Sequence, residues 1–279
     1  ELYARFYNVL LQRGNIEAEE AAVKTSELHL RETRKMSELG LANRLDVIRA
    51  GQQLATDTAS LASARGLFEA AEISLMNYMS IAPQDKRTAA GELAVPEVSG
   101  SRAESLARAE QFRADRRQLE AQLGYQKEQL EIEKSGLRPK ASFETYAGYL
   151  DPYQKQDEGG GTWRAELSIS VPVFDRNVTK SSVMAAGAKL EQDKIALRQK
   201  ELDLKSEVET AWIAIETTAR TLTASGKSLE LAEESLRLAE VGYREGVSPQ
   251  LDLLSAQASL TSARLDYLHA KYNHLIAIV

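Results

Sequence analysis

Residues 30–54 have the sequence LRETRKMSELGLANRLDVIRAGQQL, and residues 236–260 have the sequence LRLAEVGYREGVSPQLDLLSAQASL. The two stretches align without a gap when the chain is shifted by 206 positions, which places Leu30 on Leu236. This shift pairs Gly40 with Gly246, and Asp46 with Asp252. Similarity at a fixed offset is typical of a repeated structural unit. The chain therefore contains one unit twice.

The repeat extends towards the amino terminus as a row of apolar residues spaced seven apart. The second copy has Val208, Ile215, Leu222, Leu229 and Leu236, and the first has Leu2, Val9, Ile16, Val23 and Leu30. A heptad spacing predicts long helices that pack as coiled coils. A further row on the same predicted helix consists of Val183, Leu190, Leu197 and Leu204. Apolar rows on different faces indicate a helix with neighbours on both sides, as in a barrel of helices.

A glycine separates two helices in each copy. Gly40 and Gly246 follow the heptad rows, and glycine adopts the left-handed conformation that ends many helices at little cost. In the second copy we expect Ser248 to cap the next helix and Pro249 to occupy its first position. Each unit is thus predicted to be a long helical hairpin with its tip at the glycine. The descending helix of the second unit is expected over about 175–243, which is on the order of 100 Å at about 1.5 Å per residue.

The apolar period changes from seven to two between residues 140 and 174. The first segment alternates with Ala141, Phe143, Thr145, Ala147 and Tyr149 on one face, and the second with Trp163, Ala165, Leu167, Ile169, Val171 and Val173. This period predicts strands with one apolar and one polar face. Both segments approach the roughly 9 to 11 residues of a tilted membrane strand. Tyr149, Trp163 and Phe174 fall near the ends, where aromatic girdles lie.

The two predicted strands leave their outer edges open. We expect the loop Asp151–Thr162 to face outside, with Gly159-Gly160-Gly161 as a flexible segment. Two strands cannot close a barrel, and open edges do not face lipid, so a membrane barrel needs strands from other copies or from a segment outside this chain. If the first unit has the layout of the second, on the order of 100 residues precede Glu1. A soluble hairpin packed on a core would alternate in the same way.

Composition excludes several classes of function. The net charge of −6 comes from 41 acidic and 35 basic residues spread along the chain, which argues against a basic face for nucleic acid. The chain has no cysteine, and no apolar run reaches the roughly 18 to 20 residues of a membrane helix. His269 and His274 are five residues apart, which does not place them on one helical face as metal ligands require. With no catalytic motif present, we expect no metal, no cofactor and no catalysis.

Several motifs carry a family resemblance when they are taken in order. The duplicated tips are Leu39-Gly40-Leu41-Ala42 with Leu45-Asp46-Val47, and Gly246-Val247-Ser248-Pro249 with Leu251-Asp252-Leu253-Leu254. The second strand ends in Ser170-Val171-Pro172-Val173-Phe174-Asp175, and the closing run is residues 256–264. Over essentially the whole chain these motifs resemble the TolC-like outer-membrane factor family. Two positions depart from its pattern: the family's Arg-Pro-Asp is Arg113-Ala114-Asp115 here, and its Phe-Asp-Gly is Phe174-Asp175-Arg176.

The resemblance implies a mainly α fold with a β-hairpin. Long coiled-coil helical hairpins would form a segment of an α-barrel, and two transmembrane strands would contribute to a trimeric β-barrel. The protein would be a homotrimer in the outer membrane of a Gram-negative bacterium, in contact with lipid and extending into the periplasm. Such proteins are passive exit ducts of tripartite efflux pumps or type I secretion systems. A periplasmic adaptor protein, which links to an inner-membrane pump, opens them at the tip.

Five segments follow from this resemblance. The first and second helical hairpins of the tunnel are expected at 1–82 and 175–279, an equatorial connection at 83–101, an ascending helix at 102–138 and the transmembrane hairpin at 139–174. The N-terminal part of the first unit is expected to lie outside this chain. Ser101 and Glu104 have the spacing of a capping box, which predicts that a helix begins after the connection.

The resemblance also assigns roles to the two tips. Leu39, Gly40, Leu41, Gly246, Val247 and Ser248 would dock the adaptor, while Asp46, Asp252 and Tyr243 would lie at the constriction that closes the resting tunnel. In a trimer the aspartates would place six carboxylates around a narrow mouth, an arrangement that favours cations and responds to pH or salt. The alternative for each aspartate is an ordinary place in the first turns of a helix, where the dipole favours it. The alternative for Tyr243 is packing at a helix end.

The helices alone fit a second architecture. A soluble scaffold of antiparallel coiled coils, which binds partner helices, would show the same heptads. It would leave the hairpin at 140–174 in water.

Overall fold

The computed structural model describes residues 1–81, 89–96, 98–150 and 160–279. Its helices are α1 (Leu2–Glu38), α2 (Arg44–Tyr78), α3 (Arg102–Phe112), α4 (Ala114–Lys134), α5 (Val178–Arg244) and α6 (Gln250–Ile278). A 3-10 turn, Ser135–Leu137, precedes the strands β1 (Lys140–Leu150) and β2 (Gly160–Ser170). The predicted combination of long helices with one β-hairpin is confirmed. Within the described ranges, no helix has both the length and the apolar character needed to cross a membrane.

The chain forms two compact units. The first consists of Glu1–Gly100 with Glu209–Val279, and the second of Ser101–Val208. The first unit thus contains α1, α2, α6 and the carboxy-terminal part of α5. The second contains α3, α4, both strands and the amino-terminal part of α5.

Apolar side chains hold the first unit together. In its α1/α2 hairpin Val9, Ala71 and Leu75 form a buried cluster, against which Phe6, Phe68 and Ala89 pack. Helix α6 packs against α1 at Gly14, where a Cβ atom would lie 3.1 Å from Cδ2 of Leu268. A real Cβ contact is rarely so short, so the absence of a side chain at Gly14 lets the two helices approach closely.

The predicted heptad rows face into the packing except at Leu2, which is 43 % exposed. Val9 and Leu30 are buried, and all five residues of the row from Val208 to Leu236 are half-buried. Helix α5, with 67 residues, begins and ends within a few residues of its predicted bounds. At about 1.5 Å per residue it is on the order of 100 Å long.

The stretch 102–138, expected as one ascending helix, contains a break. Arg113 has φ −62° and ψ 123°, an extended conformation that ends α3 and precedes α4. The predicted capping box at the start of α3 is confirmed, since the Glu104 N–H donates to Ser101 Oγ (3.3 Å) and the Ser101 N–H donates to Glu104 Oε2 (3.0 Å).

The two strands pair as an antiparallel hairpin, as predicted. Ala147 lies opposite Trp163, Phe143 opposite Leu167, and Ala141 opposite Ile169, so one face is apolar. The other face carries Glu144 opposite Glu166 and a hydrogen bond of 2.8 Å between the hydroxyls of Ser142 and Ser168. Within the described residues each strand pairs only with the other, so both outer edges are open.

The strand ends differ from the prediction. Strand β2 stops at Ser170, three residues before Val173, and Ser170 pairs with Lys140. Pro139 and Pro172 flank this last pair, and proline has no N–H with which to extend the ladder. At the other end Gly160, Gly161 and Thr162 belong to β2, so their assignment to a flexible loop was wrong. The remainder of that loop, 151–159, lies outside the described residues, as do 82–88 and 97 of the connection.

The turn after β2 contains Phe174-Asp175-Arg176, one of the two departures from the family pattern. Asp175 accepts hydrogen bonds from the N–H groups of Asn177 (3.0 Å) and Thr179 (2.8 Å), and the Thr179 bonds lower the pKa of Asp175. Arg176, which stands where the family has glycine, takes the left-handed conformation with φ 55°. A side chain at this φ is strained, so the arginine costs stability that glycine would not.

Candidate functional site at the helical tips

The two tips have the same backbone geometry. Gly40 and Gly246 have φ values of 74° and 73°, the left-handed conformation predicted for both. Their N–H groups donate to the carbonyls of Ser37 and Tyr243, each at 3.1 Å. The next N–H groups reach back to the carbonyls of Met36 (2.8 Å) and Gly242 (2.9 Å). These bonds satisfy carbonyls that the ending helix leaves free. The bounds of the helices on either side also differ by the same 206 positions, so the repeat is structural.

The second helix of each hairpin begins at the same position of the repeat but is capped differently. Asn43 caps α2 through a capping box in which its Oδ1 accepts from the Asp46 N–H (2.9 Å) and Asp46 Oδ2 accepts from the Asn43 N–H (3.2 Å). In the second copy the prediction was wrong by one residue, because Pro249 is the N-cap and the first helical residue is Gln250. The Ser248 N–H belongs to the tip turn, where it donates to the carbonyl of Gly242 (3.1 Å).

The two aspartates assigned to the constriction are therefore not chemically equivalent. Asp46 is half-buried, and its carboxylate is engaged in the capping box. Asp252 is exposed, and no hydrogen bond or ion pair to its carboxylate is found in the part of the chain that the structure describes. Pro249 stands where Asn43 stands in the first copy. It has no N–H to donate to the Asp252 carboxylate, so no capping box forms. Among the described residues the Asp252 carboxylate thus has no partner, whereas the Asp46 carboxylate takes part in the cap of α2.

The residues expected to dock the adaptor are apolar and exposed at most positions. Leu39, Leu41 and Val247 are 73 %, 76 % and 76 % exposed, and both tip glycines are exposed. Ser248 is half-buried, with its Oγ directed at Gly242, where a Cβ atom would lie only 2.5 Å away. Large apolar side chains at the point of a helical hairpin are suited to contact another protein. Ser248, in contrast, packs against its own turn.

A buried polar cluster joins the two hairpins near the tips. Gln250, which is 5 % exposed, places its Nε2 3.1 Å from Nε2 of His29 in α1 and 3.0 Å from the carbonyl oxygen of Asp46 in α2. Tyr243 is half-buried and packs edge-on against the His29 ring, with ring centroids 5.5 Å apart. The cluster therefore connects α6 and α5 to both helices of the first hairpin.

This cluster was not predicted from the sequence. The sequence alone assigned no role to His29 or Gln250. The repeat contains one sequence signal that this position is buried in the second copy. Gln250 occupies the position of Arg44 in the first copy, and an uncharged amide is far easier to bury than a guanidinium. Within 1–81, 89–96, 98–150 and 160–279, no group of three or more acidic or histidine side chains has the geometry of a metal site.

An ion-pair network fixes the helix break in the second unit. Arg113 Nη2 lies 2.7 Å from Asp115 Oδ2 and 2.9 Å from Glu207 Oε2, and Lys200 Nζ lies 2.8 Å from Asp115 Oδ2. Hydrogen bonds from Arg113 and Lys200 hold the pKa of Asp115 well below its usual range, and the same contact raises the pKa of Lys200. The network joins the start of α4 to α5, so the Arg-Ala-Asp sequence keeps the break without the family's proline.

Paired long helical hairpins with matching tips, joined to an amphipathic β-hairpin, define the class of outer-membrane channel tunnels. The chain belongs to the outer membrane efflux protein family, whose family model matches residues 104–279. This membership places the protein in the outer membrane of a Gram-negative bacterium. The family consists of channels. No curated protein matches the sequence.

Solved structures of outer-membrane channels share the fold. The outer membrane protein VceC of Vibrio cholerae is 16 % identical, with a TM-score of 0.78 over 99 % of this chain and 67 % of that one. The channel OprN is 21 % identical, with a TM-score of 0.81 over 100 % and 64 %. The CmeC channel of Campylobacter jejuni is 16 % identical, with a TM-score of 0.77 over 100 % and 60 %. The chain thus spans 60 % to 67 % of the length of these proteins.

Proposed function

We propose that the full-length protein is a homotrimeric, non-enzymatic exit duct that spans the outer membrane and continues as a tunnel into the periplasm. The observation that carries this proposal is the β-hairpin with one apolar face and two open edges. Open edges in lipid leave backbone groups unpaired, at a cost of several kcal/mol each, so other strands must cover them. Four strands from each of three protomers would close such a barrel. A soluble scaffold would leave Phe143, Leu167 and Ile169, each about two-thirds exposed, in water.

The segments take their roles from this arrangement. The helical hairpins at 1–82 and 175–279 form the tunnel wall, the 83–101 segment is the equatorial connection, 102–138 ascends to the membrane, and 139–174 contains the transmembrane hairpin. The protein serves as the outer component of a tripartite efflux pump or a type I secretion system.

The tips provide docking and closure in this proposal. The exposed Leu39, Leu41 and Val247, together with the turns at Gly40 and Gly246–Ser248, receive a periplasmic adaptor protein, through which the duct connects to an inner-membrane pump. Tyr243, Asp46 and Asp252 narrow the resting tunnel. The exposed, unengaged carboxylate of Asp252 supports a direct role in the pore, and the Asp46 carboxylate supports the tip through its cap.

Conductance through the purified full-length trimer in a planar bilayer tests this assignment. We expect Asp252→Ala to raise the conductance and to reduce the preference for cations, because it removes three carboxylates from the mouth. For Asp46 two variants are needed: Asp46→Ala removes the charge and the cap, whereas Asp46→Asn removes the charge and keeps an oxygen that can accept from the Asn43 N–H.

The matched control is Asp266→Ala, which removes another exposed aspartate from the same helix, about 21 Å from Asp252 along the axis. It should leave the conductance unchanged. Conductance that is the same in the wild type, Asp252→Ala and Asp46→Ala would rule out the constriction assignment. Absence of any conductance from a folded trimer would rule out the duct itself.

A further inference from the structure

We propose that His29 and Gln250 form a latch that holds the two helical hairpins together just above the tips, and that protonation of His29 releases it. These residues position the constriction and do not line it. The inference rests on the proposed function, since it supplies a control for the opening of the tips.

Gln250 is placed so that one side chain bridges three helices. It stands at the start of α6, yet its amide contacts the side chain of His29 in α1 and the backbone of Asp46 in α2. All of these contacts are shielded from water, because His29 is 4 % exposed and Gln250 is 5 % exposed. A hydrogen bond in such an environment is stronger than at the surface, and its loss leaves buried polar groups without partners.

The hydrogen-bond chemistry fixes the protonation state of His29. The Asp46 carbonyl can only accept, so the Gln250 atom that faces it, at 3.0 Å, must be the donating NH₂ group. The same nitrogen lies 3.1 Å from His29 Nε2, which must therefore accept. Only a neutral imidazole has an accepting nitrogen, so the proton of His29 is on Nδ1 in the latched state.

Protonation places two donors against each other. The new Nε2–H of His29 would point at the NH₂ group of Gln250, and rotation of that amide by 180° would turn its oxygen towards the Asp46 carbonyl. Neither orientation satisfies both contacts. Thr33 donates its hydroxyl hydrogen to the His29 carbonyl (2.8 Å), and the lone pairs of that hydroxyl lie 3.5 Å from Nε2, too far to replace the bond to Gln250 at 3.1 Å. Protonation thus removes the bond between His29 and Gln250 and sets two donors against each other, which favours separation of α6 from α1.

The charged groups around His29 come from two helices. A cavity of about 240 Å³ beside the ring is lined by Glu32 of α1 and by Glu240, Tyr243 and Arg244 of α5. Helix α6 contributes only uncharged side chains to this lining, and the Asp46 carboxylate of α2 accepts from the Asn43 N–H. Burial lowers the pKa of His29, and Glu32 opposes that shift without overcoming it.

The direction of the pH response follows. The latched state lowers the pKa of His29, so it is favoured when the imidazole is neutral, at a pH above the ordinary histidine pKa of about 6.5. This preference is lost as the pH falls below about 6.5 towards the lowered pKa of the latched state. Acidification therefore favours opening. One proton per protomer allows the ratio of released to latched tips to rise by at most about tenfold per pH unit.

The test is the open probability of the purified full-length trimer in planar bilayers between pH 8 and pH 5. We expect the wild type to open more often as the pH falls. His29→Gln should abolish this response, because a glutamine oxygen can accept from Gln250 at every pH. Gln250→Leu should be open at all pH values. His274→Gln is the matched control, since His274 is also buried and hydrogen-bonds Thr218 (2.9 Å), and it should respond as the wild type does.

A pH response that survives in His29→Gln, or that is absent from the wild type, would overturn the latch while leaving the duct intact. A second measurement does not depend on conductance. Deuterium exchange at the C2 position of each histidine, followed by mass spectrometry on the full-length protein, reports the pH of half-protonation. We expect that pH to be lower for His29 than for the exposed His269, and equal values would contradict the latch.

Discussion

Replacement of the tip glycines by alanine tests the geometry on which both hairpins depend. Gly40 has φ 74°, and a Cβ atom built on it meets nothing within 4 Å, so Gly40→Ala introduces no clash. Its cost is purely conformational, and the left-handed region costs an L-residue about 1 to 2 kcal/mol. Gly246→Ala, at φ 73° and also without a neighbour, should cost the same. Agreement between the two variants would further support the repeat.

Gly66→Ala is the matched control. Gly66 is exposed within α2, and its Cβ position is also empty, but its backbone is helical. Alanine there should stabilise by about 0.5 to 1 kcal/mol, because glycine loses more chain entropy on folding. The midpoint of thermal unfolding of the full-length protein, followed by circular dichroism, should fall for Gly40→Ala and rise for Gly66→Ala, by about 2 to 4 °C per kcal/mol. Equal stabilisation by both variants would refute the left-handed tip.

Three further predictions concern the second unit. Ala114→Pro should stabilise by about 0.4 to 1 kcal/mol in thermal unfolding, because residue 114 is the first of α4 and Arg113 is already extended, and a fall in the midpoint would contradict this. Arg176→Gly should stabilise by about 1 kcal/mol in the same assay by relieving φ 55°, and no gain would argue against strain there. Asp115→Asn should destabilise at neutral pH. Because Arg113 and Lys200 lower the pKa of Asp115, the deficit should persist down to about pH 4 and shrink only below it, so a deficit that disappears by pH 6 would exclude the network as its cause.

The long helices and the strand hairpin were predictable because each has a strong period. Five apolar residues at heptad spacing before each tip fixed both the helices and the face they bury, and Gly40 and Gly246 marked where those helices end. The β-hairpin followed from alternation alone. In each case the signal is local and extends over many residues, so single exceptions do not obscure it.

The features that escaped prediction depend on contacts between distant residues. The break at Arg113 has no proline to mark it, and it is held by Lys200 and Glu207 from another helix. The contact between His29 and Gln250 joins residues that are 221 positions apart. The helix start at Gln250 was misplaced by one residue, because serine and proline are both favoured at helix starts and Ser248-Pro249 is a plausible cap locally. Tertiary contacts decided the first two.

In the proposed membrane barrel, one face of the β-hairpin contacts lipid and the other contacts water. The chain has no cysteine, so a spin label can be attached to single cysteines introduced on either face. In the full-length protein in lipid, labels at Phe143 and Leu167 should collide with dissolved oxygen, and labels at Ser142 and Ser168 should collide with a water-soluble nickel chelate. Equal access of the nickel chelate to all four positions would contradict the account.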